Sequence, residues 1–363
     1  GPSLSSNYNS FGGFVSSPTE ANPNIKPEVV TELEYGFDLI AINNRVNIGF
    51  TSYLQKTNDA ILEFPVAPST GYAYELKNAA TINNNGIEIS LETNIIETSN
   101  QTYIAEFNYS TNNNIVKNLA GSENIFLGGF SGAGSYAVEN YPYGVIRGNN
   151  WLYSSNGNYD LDENNFPQQN PEETIIGDPN PNWLGSMRFS WNYKSTLRIS
   201  TLIDIKSGGD IWNGTKGALY FFGAHNETTK QTQVEYYTDA IGNKITGYKT
   251  WYGEDVGSLP DIIDNGNNTL TFRGYIEDFG KGKVAVTEDA FHDGPFSGFT
   301  GPASQFIEDG SYIKLREISF NYLYNSDLIQ LIGIKSIDFS IVLRNLKTWT
   351  NYSGIDPETN LAG

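Results

Sequence analysis

Taken at every second position, the chain from Trp183 to Tyr193 is Trp183, Gly185, Met187, Phe189, Trp191, Tyr193, with Leu184, Ser186, Arg188, Ser190 and Asn192 between them. After Lys194-Ser195-Thr196 the alternation resumes: Leu197, Ile199, Thr201, Ile203 and Ile205 against Arg198, Ser200, Leu202, Asp204 and Lys206. A period of two marks a strand with one apolar and one polar face, and so short a link between two such runs predicts a hairpin. Six further segments carry the same period. Thr31 to Ile42 sets Leu33, Tyr35, Phe37 and Leu39 against Glu32, Glu34 and Asp38. Arg45 to Gln55 sets Val46, Ile48 and Phe50 against Asn47, Gly49 and Thr51. Asn85 to Asn94 sets Ile87, Ile89 and Leu91 against Glu88, Ser90 and Glu92. Thr102 to Thr111 sets Tyr103, Ala105, Phe107 and Tyr109 against Glu106, Asn108 and Ser110. Ser336 to Asn345 sets Ile337, Phe339, Ile341 and Leu343 against Asp338, Ser340, Val342 and Arg344. In Ser311 to Tyr322 the stripe starts at Ile313 and Leu315, then changes phase to Ile318, Phe320 and Tyr322. A one-residue slip of that kind predicts a β-bulge.

The links between these segments run short, long, short, long. Asn43-Asn44, Ser99-Asn100, Lys194 to Thr196 and the modest Leu323 to Lys335 alternate with long loops at about 56–84, 112–182 and 207–310; the second of these has room for a further strand near Tyr143 to Tyr153. Short turns at one end and long loops at the other are the habit of outer-membrane barrels, whose strands need about 9–11 residues to cross the bilayer. The apolar stripe would then face lipid. Glu32, Glu34, Asp38, Glu88, Glu92, Glu106, Arg188, Arg198, Asp204, Asp338 and Arg344, all opposite it, would be lumen-facing. A soluble β-sandwich alternates too, and its solvent face would be equally charged. Tyr35, Tyr53, Tyr103, Trp183, Trp191, Tyr193, Tyr312 and Tyr322 lie near strand ends and fit interfacial girdles.

Composition narrows the function. The 363 residues include 23 Tyr, 20 Phe and 6 Trp, with only 17% charged, which is a β-rich, turn-rich make-up. There is no Cys, which removes disulfides and thiolate sites, and only two His, His225 and His292, each read as a surface histidine. A net charge of −19 disfavours nucleic acid. No apolar run is long enough for a transmembrane helix, and the opening GPSLSSNYNSFGGF lacks the charged start and apolar segment of a signal peptide.

Two loop features carry candidate chemistry. Asn156, Asn158, Asp160 and Asp162 alternate in SSNGNYDLDENNF, as oxygen ligands do in a calcium loop, without the glycine and closing Glu of an EF-hand; the other reading is a solvated acidic loop. The 207–310 loop is rich in aromatic rings, of which Trp212, Tyr220, Phe222, Tyr237, Trp251 and Tyr252 are the candidates for contact with a substrate or a lid. Packing of those rings within the loop is the competing expectation. Acidic pairs such as Glu308-Asp309 stand beside no activated nucleophile, so an enzyme is not expected.

Five blocks in order resemble the SusC/RagA family of TonB-dependent outer-membrane transporters: NPNIKPEVVTELEYGFDLIAINNRVNIGFTSYLQKTNDAILEFPV at 22–66, NAATINNNGIEISLET at 78–93, TIIGDPNPNWLGSMRFSWNYKSTLRISTLIDIKSGGDIWNGT at 174–215, FIEDGSYIKLREISFNYLY at 306–324, and IKSIDFSIVLRNLKTWTNYSGIDPETN at 334–360. Physically, Asp178-Pro179-Asn180-Pro181 is a rigid turn that stops pairing before a strand, and Gly208-Gly209 permits a sharp bend. The resemblance covers nearly the whole chain but only the later part of the family's length. It implies an all-β fold: part of a 22-stranded antiparallel transmembrane β-barrel, with the plug domain and first barrel half outside this chain. It also implies import of oligosaccharides or oligopeptides, with a SusD-like surface lipoprotein as lid, energy supplied through TonB, a dimer of transporter–lid pairs, and no cofactor beyond the calcium just considered. The alternatives are a structural, adhesive or secretion-associated barrel and a soluble carbohydrate-binding sandwich.

Overall fold

A computed structural model describes residues 17–130 and 132–358, together with the backbone of 3–8 and 11–15. The eight expected strands are all present: β1 (Val29–Ala41), β2 (Val46–Pro65), β3 (Tyr74–Glu97), β4 (Gln101–Asn118), β5 (Pro181–Tyr193), β6 (Leu197–Gly208), β7 (Tyr312–Tyr324) and β8 (Ile337–Thr350). Each pairs antiparallel with its sequence neighbour, giving one sheet in chain order from β1 to β8. No second sheet stacks on its apolar side among the described residues, so the sandwich expectation fails. Leu33 on β1 is 62% exposed and Phe339 on β8 is 52% exposed. On the inner strands the stripe is a lattice of neighbouring rings. Phe189 lies edge-on to Phe107 at 5.7 Å, and Ile199 sits beside Trp191 on one strand and Phe320 on the other. Trp183 and Trp191 share this face eight residues apart, about 26 Å at about 3.3 Å per residue.

Local chemistry accounts for the turns. Lys194 and Ser195 both take positive φ (49° and 53°) and Thr196 N–H returns to Tyr193 O, the two-residue turn whose twist suits a hairpin. Ile42, Asn43 and Asn44 do likewise at the β1–β2 turn. The turns are stitched sideways: Lys194 N–H donates to Asn100 O, and Leu323 N–H to Thr196 O. The phase slip in β7 is a bulge at Arg316, visible against both neighbours.

Two expectations need correction. The segment 56–84 is not a long loop: β2 runs on to Pro65 and β3 starts at Tyr74, leaving only 66–73 as a connection. Alternation fades there because small residues build a core with a neighbouring sheet: Ala60, Ala79 and Ala80 pack with Val116, Leu119, Ile125 and Ala137, while Lys56, Asp59, Glu63 and Pro65 stay exposed. Tyr312 is not a girdle residue: it lies on the polar face with Lys314, buried, its hydroxyl on Glu358. Nor is Tyr53. It pairs with Gly86 and Glu34 on the polar face, opposite in phase to Phe50 and Leu54. Gly86 leaves room that a side chain would fill: an added Cβ would run into the Thr111 carbonyl oxygen and the Tyr53 ring that lies across it.

The 112–182 and 207–310 regions fold rather than hang loose. The first holds a four-stranded sheet, Asn124–Phe130, Ala133–Val138, Val145–Gly148 and Thr174–Gly177, which includes the strand expected near Tyr143. The second carries α1 (Gly214–Phe221) and a sheet built around Thr269–Asp278. A shared core of Phe166, Tyr220, Val284, Val286, Phe291 and Phe306 ties the two together.

Candidate functional site

Because the register is continuous, the polar positions of all eight strands form one face. Glu88, Glu106, Arg188, Arg198, Asp204 and Arg344 all lie on it. Three cross-strand contacts on this face pair opposite charges. Arg188 Nε is 3.3 Å from Glu106, Arg344 Nε is 3.1 Å from Glu317, and Arg316 meets Asp204 at 2.8 Å. Between them runs a hydroxyl row in which Ser200 and Ser319 share a hydrogen bond of 2.7 Å, with Ser340 Oγ donating to Asn321 at 2.7 Å. On β1 to β4 the face is acidic and amide-rich: Glu32, Glu34, Tyr53, Gln55, Asn84, Glu88 and Asn112 line an open recess of about 370 Å³. Gln55 Nε2 donates to Glu32 at 2.7 Å and Tyr53 Oη to Asn112 at 3.2 Å. Such a surface holds water and offers mixed charges and hydroxyls to a passing polar solute. It holds no nucleophile beside a base.

The bulge matters at the rim of this face. It aims Arg316 at Asp204 and at the segment beyond β8, where Asp356-Pro357-Glu358 folds back over the wall. Lys314, whose side chain is only 5% exposed, reaches Asp356 at 2.6 Å and Glu358 at 2.5 Å. Arg316 holds both Glu358 oxygens, and Tyr312 Oη donates to one of them at 2.9 Å. Arg316 beside Glu358 is the main reason its carboxyl is lowered to about 2, against partial burial, with Lys314 and Tyr312 adding to the effect. A second tie lies close by. Glu308 accepts from Ser353 N–H and Oγ, both at 2.7 Å, and meets Lys216 at 3.2 Å. Burial alone would raise its carboxyl, but the Ser353 and Lys216 bonds win and lower it. This clasp escaped the sequence reading, although the phase slip marked the position that builds it.

The six aromatic candidates separate. Tyr220 is buried among Phe291 and Phe306, its hydroxyl bonded to Glu227 and pushed up by burial and that carboxylate. Trp251 packs on the same core with Nε1 donating to Asp289 at 2.9 Å, and Trp212 leans on Phe130 at 5.7 Å. Phe222, Tyr237 and Tyr252 are exposed, and no ring contact joins them to one another among the described residues. His225 accepts from Glu227 N–H, and His292 donates through Nδ1 to Phe221 O, so each braces a loop turn. Asn156, Asn158, Asp160 and Asp162 fall in two successive turns. Asn156 Oδ1 already accepts from Ser154 Oγ, and Asp162 Oδ1 from the Asn164 and Phe166 amides. No group of three or more His, Cys, Asp or Glu side chains that could hold a metal ion exists among the described residues.

Comparison with known proteins agrees with this geometry. No family model matches the chain. TonB-dependent receptor P39 of Formosa agariphila is 24% identical over 98% of the chain and 35% of its own length. TonB-dependent receptor P3 of the same organism is 24% identical over 94% of the chain and 31% of its own length. TonB-dependent receptor SusC of Bacteroides thetaiotaomicron is 28% identical over 30% of the chain. The chain thus spans about a third of the curated relatives it matches along nearly its whole length. Among solved structures, the RagAB peptide importer in its closed-closed state aligns over 98% of the chain and 36% of its own, with a TM-score of 0.65 at 17% identity. The open-open state gives 0.63. In sequence and fold alike, the chain is SusC/RagA-like, with TonB-dependent receptors as its homologues.

Proposed function

We propose that this chain is the later barrel wall of an outer-membrane, TonB-dependent importer of oligopeptides or oligosaccharides, the SusC-like barrel of a two-component transporter. The supporting observation is the eight-strand wall itself. An apolar face left uncovered, an opposite face carrying paired charges, and tight turns confined to one end together describe a surface between lipid and a wet lumen. In this reading Glu88, Glu106, Arg188, Arg198, Asp204 and Arg344 line the path, and the long folded loops are extracellular. The edges β1 and β8 are long and unpaired within this sheet. Hydrocarbon leaves no water to satisfy them, so they pair with further strands of a closed barrel of 22. The whole transporter carries a plug, a SusD-like lipoprotein lid and a TonB contact, and works as a dimer of transporter–lid pairs.

The test is uptake by cells carrying the full-length gene with its neighbouring lid gene, offered labelled oligopeptide and oligosaccharide pools. Uptake of one pool that vanishes on deleting either the gene or TonB supports import. Intact uptake of both, with the protein co-purifying with a secretion or motility complex, replaces this reading with that of a structural barrel.

A further inference from the structure

Four turns close the wall at the end opposite the folded loops. Three are short and polar, through Asn43-Asn44, Ser99-Asn100 and Lys194-Ser195. The fourth, joining β7 to β8, is NSDLIQLIGIKS at 325–336, and it breaks the pattern. It is compactly folded: Ser326 Oγ accepts from Leu328 N–H at 3.1 Å, a short helix spans Asp327–Gln330, and Leu331, Ile332 and Ile334 N–H return to Asp327 O, Ile329 O and Ile329 O. Its aliphatic side chains nevertheless point outward. Leu328, Leu331, Ile332 and Ile334 are all exposed, Leu331 to 83%.

From this geometry we infer that the 325–336 turn is a lipid anchor, seated in the headgroup–acyl boundary of the periplasmic leaflet. The inference rests on the membrane reading above and adds a contact to it. Three observations favour lipid as the occupant. The aliphatic cluster continues the apolar stripe, since Tyr322 and Tyr324 on β7 and Ile337 and Phe339 on β8 carry that stripe down to the turn. The amides from Leu328 to Ile334, which carry the aliphatic cluster, are satisfied within the turn, which lets that stretch leave water without orphaning those backbone donors. Four aliphatic side chains also fall far short of the roughly 1,200 Å² that a specific protein interface buries. Asp327 and Lys335 are its only charges, and an apolar face of this kind settles about 5–10 Å into the boundary.

This chain has no cysteine, and any cysteine elsewhere in the full-length protein is first replaced by serine, so that each label sits at a single site. The full-length protein, reconstituted in phosphatidylethanolamine–phosphatidylglycerol vesicles, is labelled with an environment-sensitive fluorophore at Leu331→Cys, Ser195→Cys or Ile341→Cys. Expected are quenching of Leu331→Cys by a shallow lipid nitroxide with protection from aqueous iodide, quenching of Ser195→Cys by iodide, and quenching of Ile341→Cys by a deep-chain nitroxide. Iodide quenching at Leu331→Cys with Ile341→Cys still in lipid overturns the anchor and leaves the barrel standing. Protection at Leu331→Cys from lipid nitroxide and iodide alike, or oxidation that links two copies through it, overturns the anchor in favour of a protein partner. Iodide quenching at Ile341→Cys removes the membrane reading and the anchor together.

Discussion

Glu358→Gln tests the rim clasp directly. The substitution keeps the shape and removes the charge that Lys314 and Arg316 both hold. A carboxyl lowered from 4.5 to about 2 corresponds to roughly 3 kcal/mol, at about 1.4 kcal/mol per tenfold change in proton affinity. The Glu358 side chain is 36% exposed, so solvent screening reduces this to about 1–2 kcal/mol. The carboxyl is lowered in the folded state, so its contribution is complete above the ordinary value of 4.5. It is lost as pH falls toward and through about 2. Amide hydrogen exchange of 351–358 in the detergent-purified full-length protein reads this locally. At pH 7, exchange in Glu358→Gln should quicken by about 5- to 30-fold. Corrected for intrinsic rates, protection in the parent should decline more steeply between pH 5 and pH 2 than in Glu358→Gln, whose remaining response comes from the lowered carboxyls of Asp356 and Glu308. A change below about twofold at pH 7, or a parent that does not respond to acid, refutes the clasp.

On the lipid face, Leu343→Arg should cost about 2–4 kcal/mol in a denaturant-folding titration into vesicles, while Ser340→Arg on the opposite face of the same strand should cost little. Equal costs would mean the two faces see the same solvent. Gly86→Val should crowd both the Thr111 carbonyl oxygen and the Tyr53 ring and lower the temperature at which the folded band is lost on semi-native gels; an unchanged temperature refutes that close packing. Phe306→Ala, in the shared loop core, should cost about 3–5 kcal/mol locally and expose 207–310 to protease on whole cells without loss of the barrel band. Resistance equal to the parent would show that the core does not hold the loop.

In the membrane reading proposed above, the strands are legible because a wall between oil and water enforces a strict period of two, and one misplaced residue puts a charge into hydrocarbon. The same rigour made the Arg316 bulge readable from Leu315 to Ile318. The period ended where the two-solvent boundary ended. Past Lys56, the extended hairpin packs on the 124–138 strands, Ala60 and Ala80 replace the alternating pattern, and a strand continuation reads as loop. Tyr53 was misread by residue type when its phase against Phe50 and Leu54 already placed it on the polar face. The aromatic loop residues failed differently. Tyr220 and Trp251 bury against Phe166 and Phe291, partners tens of residues away in sequence, and no local pattern separates a ring that packs from one that is offered outward. The Lys314–Asp356–Glu358 clasp joins a strand to a segment beyond the next one, and its charges read as solvated until the fold brings them together.

The extended β2–β3 hairpin, fused through Ala60, Ala79 and Val116 to the 124–138 strands, has a mechanical consequence. A flap needs a crease, and here the crease is filled with alanine and valine and stitched by strand pairing. On this side the mouth is a fixed parapet. In the importer proposed above, whatever opens to admit cargo hinges elsewhere, and the stiffness of the parapet gives the moving piece something firm to close against.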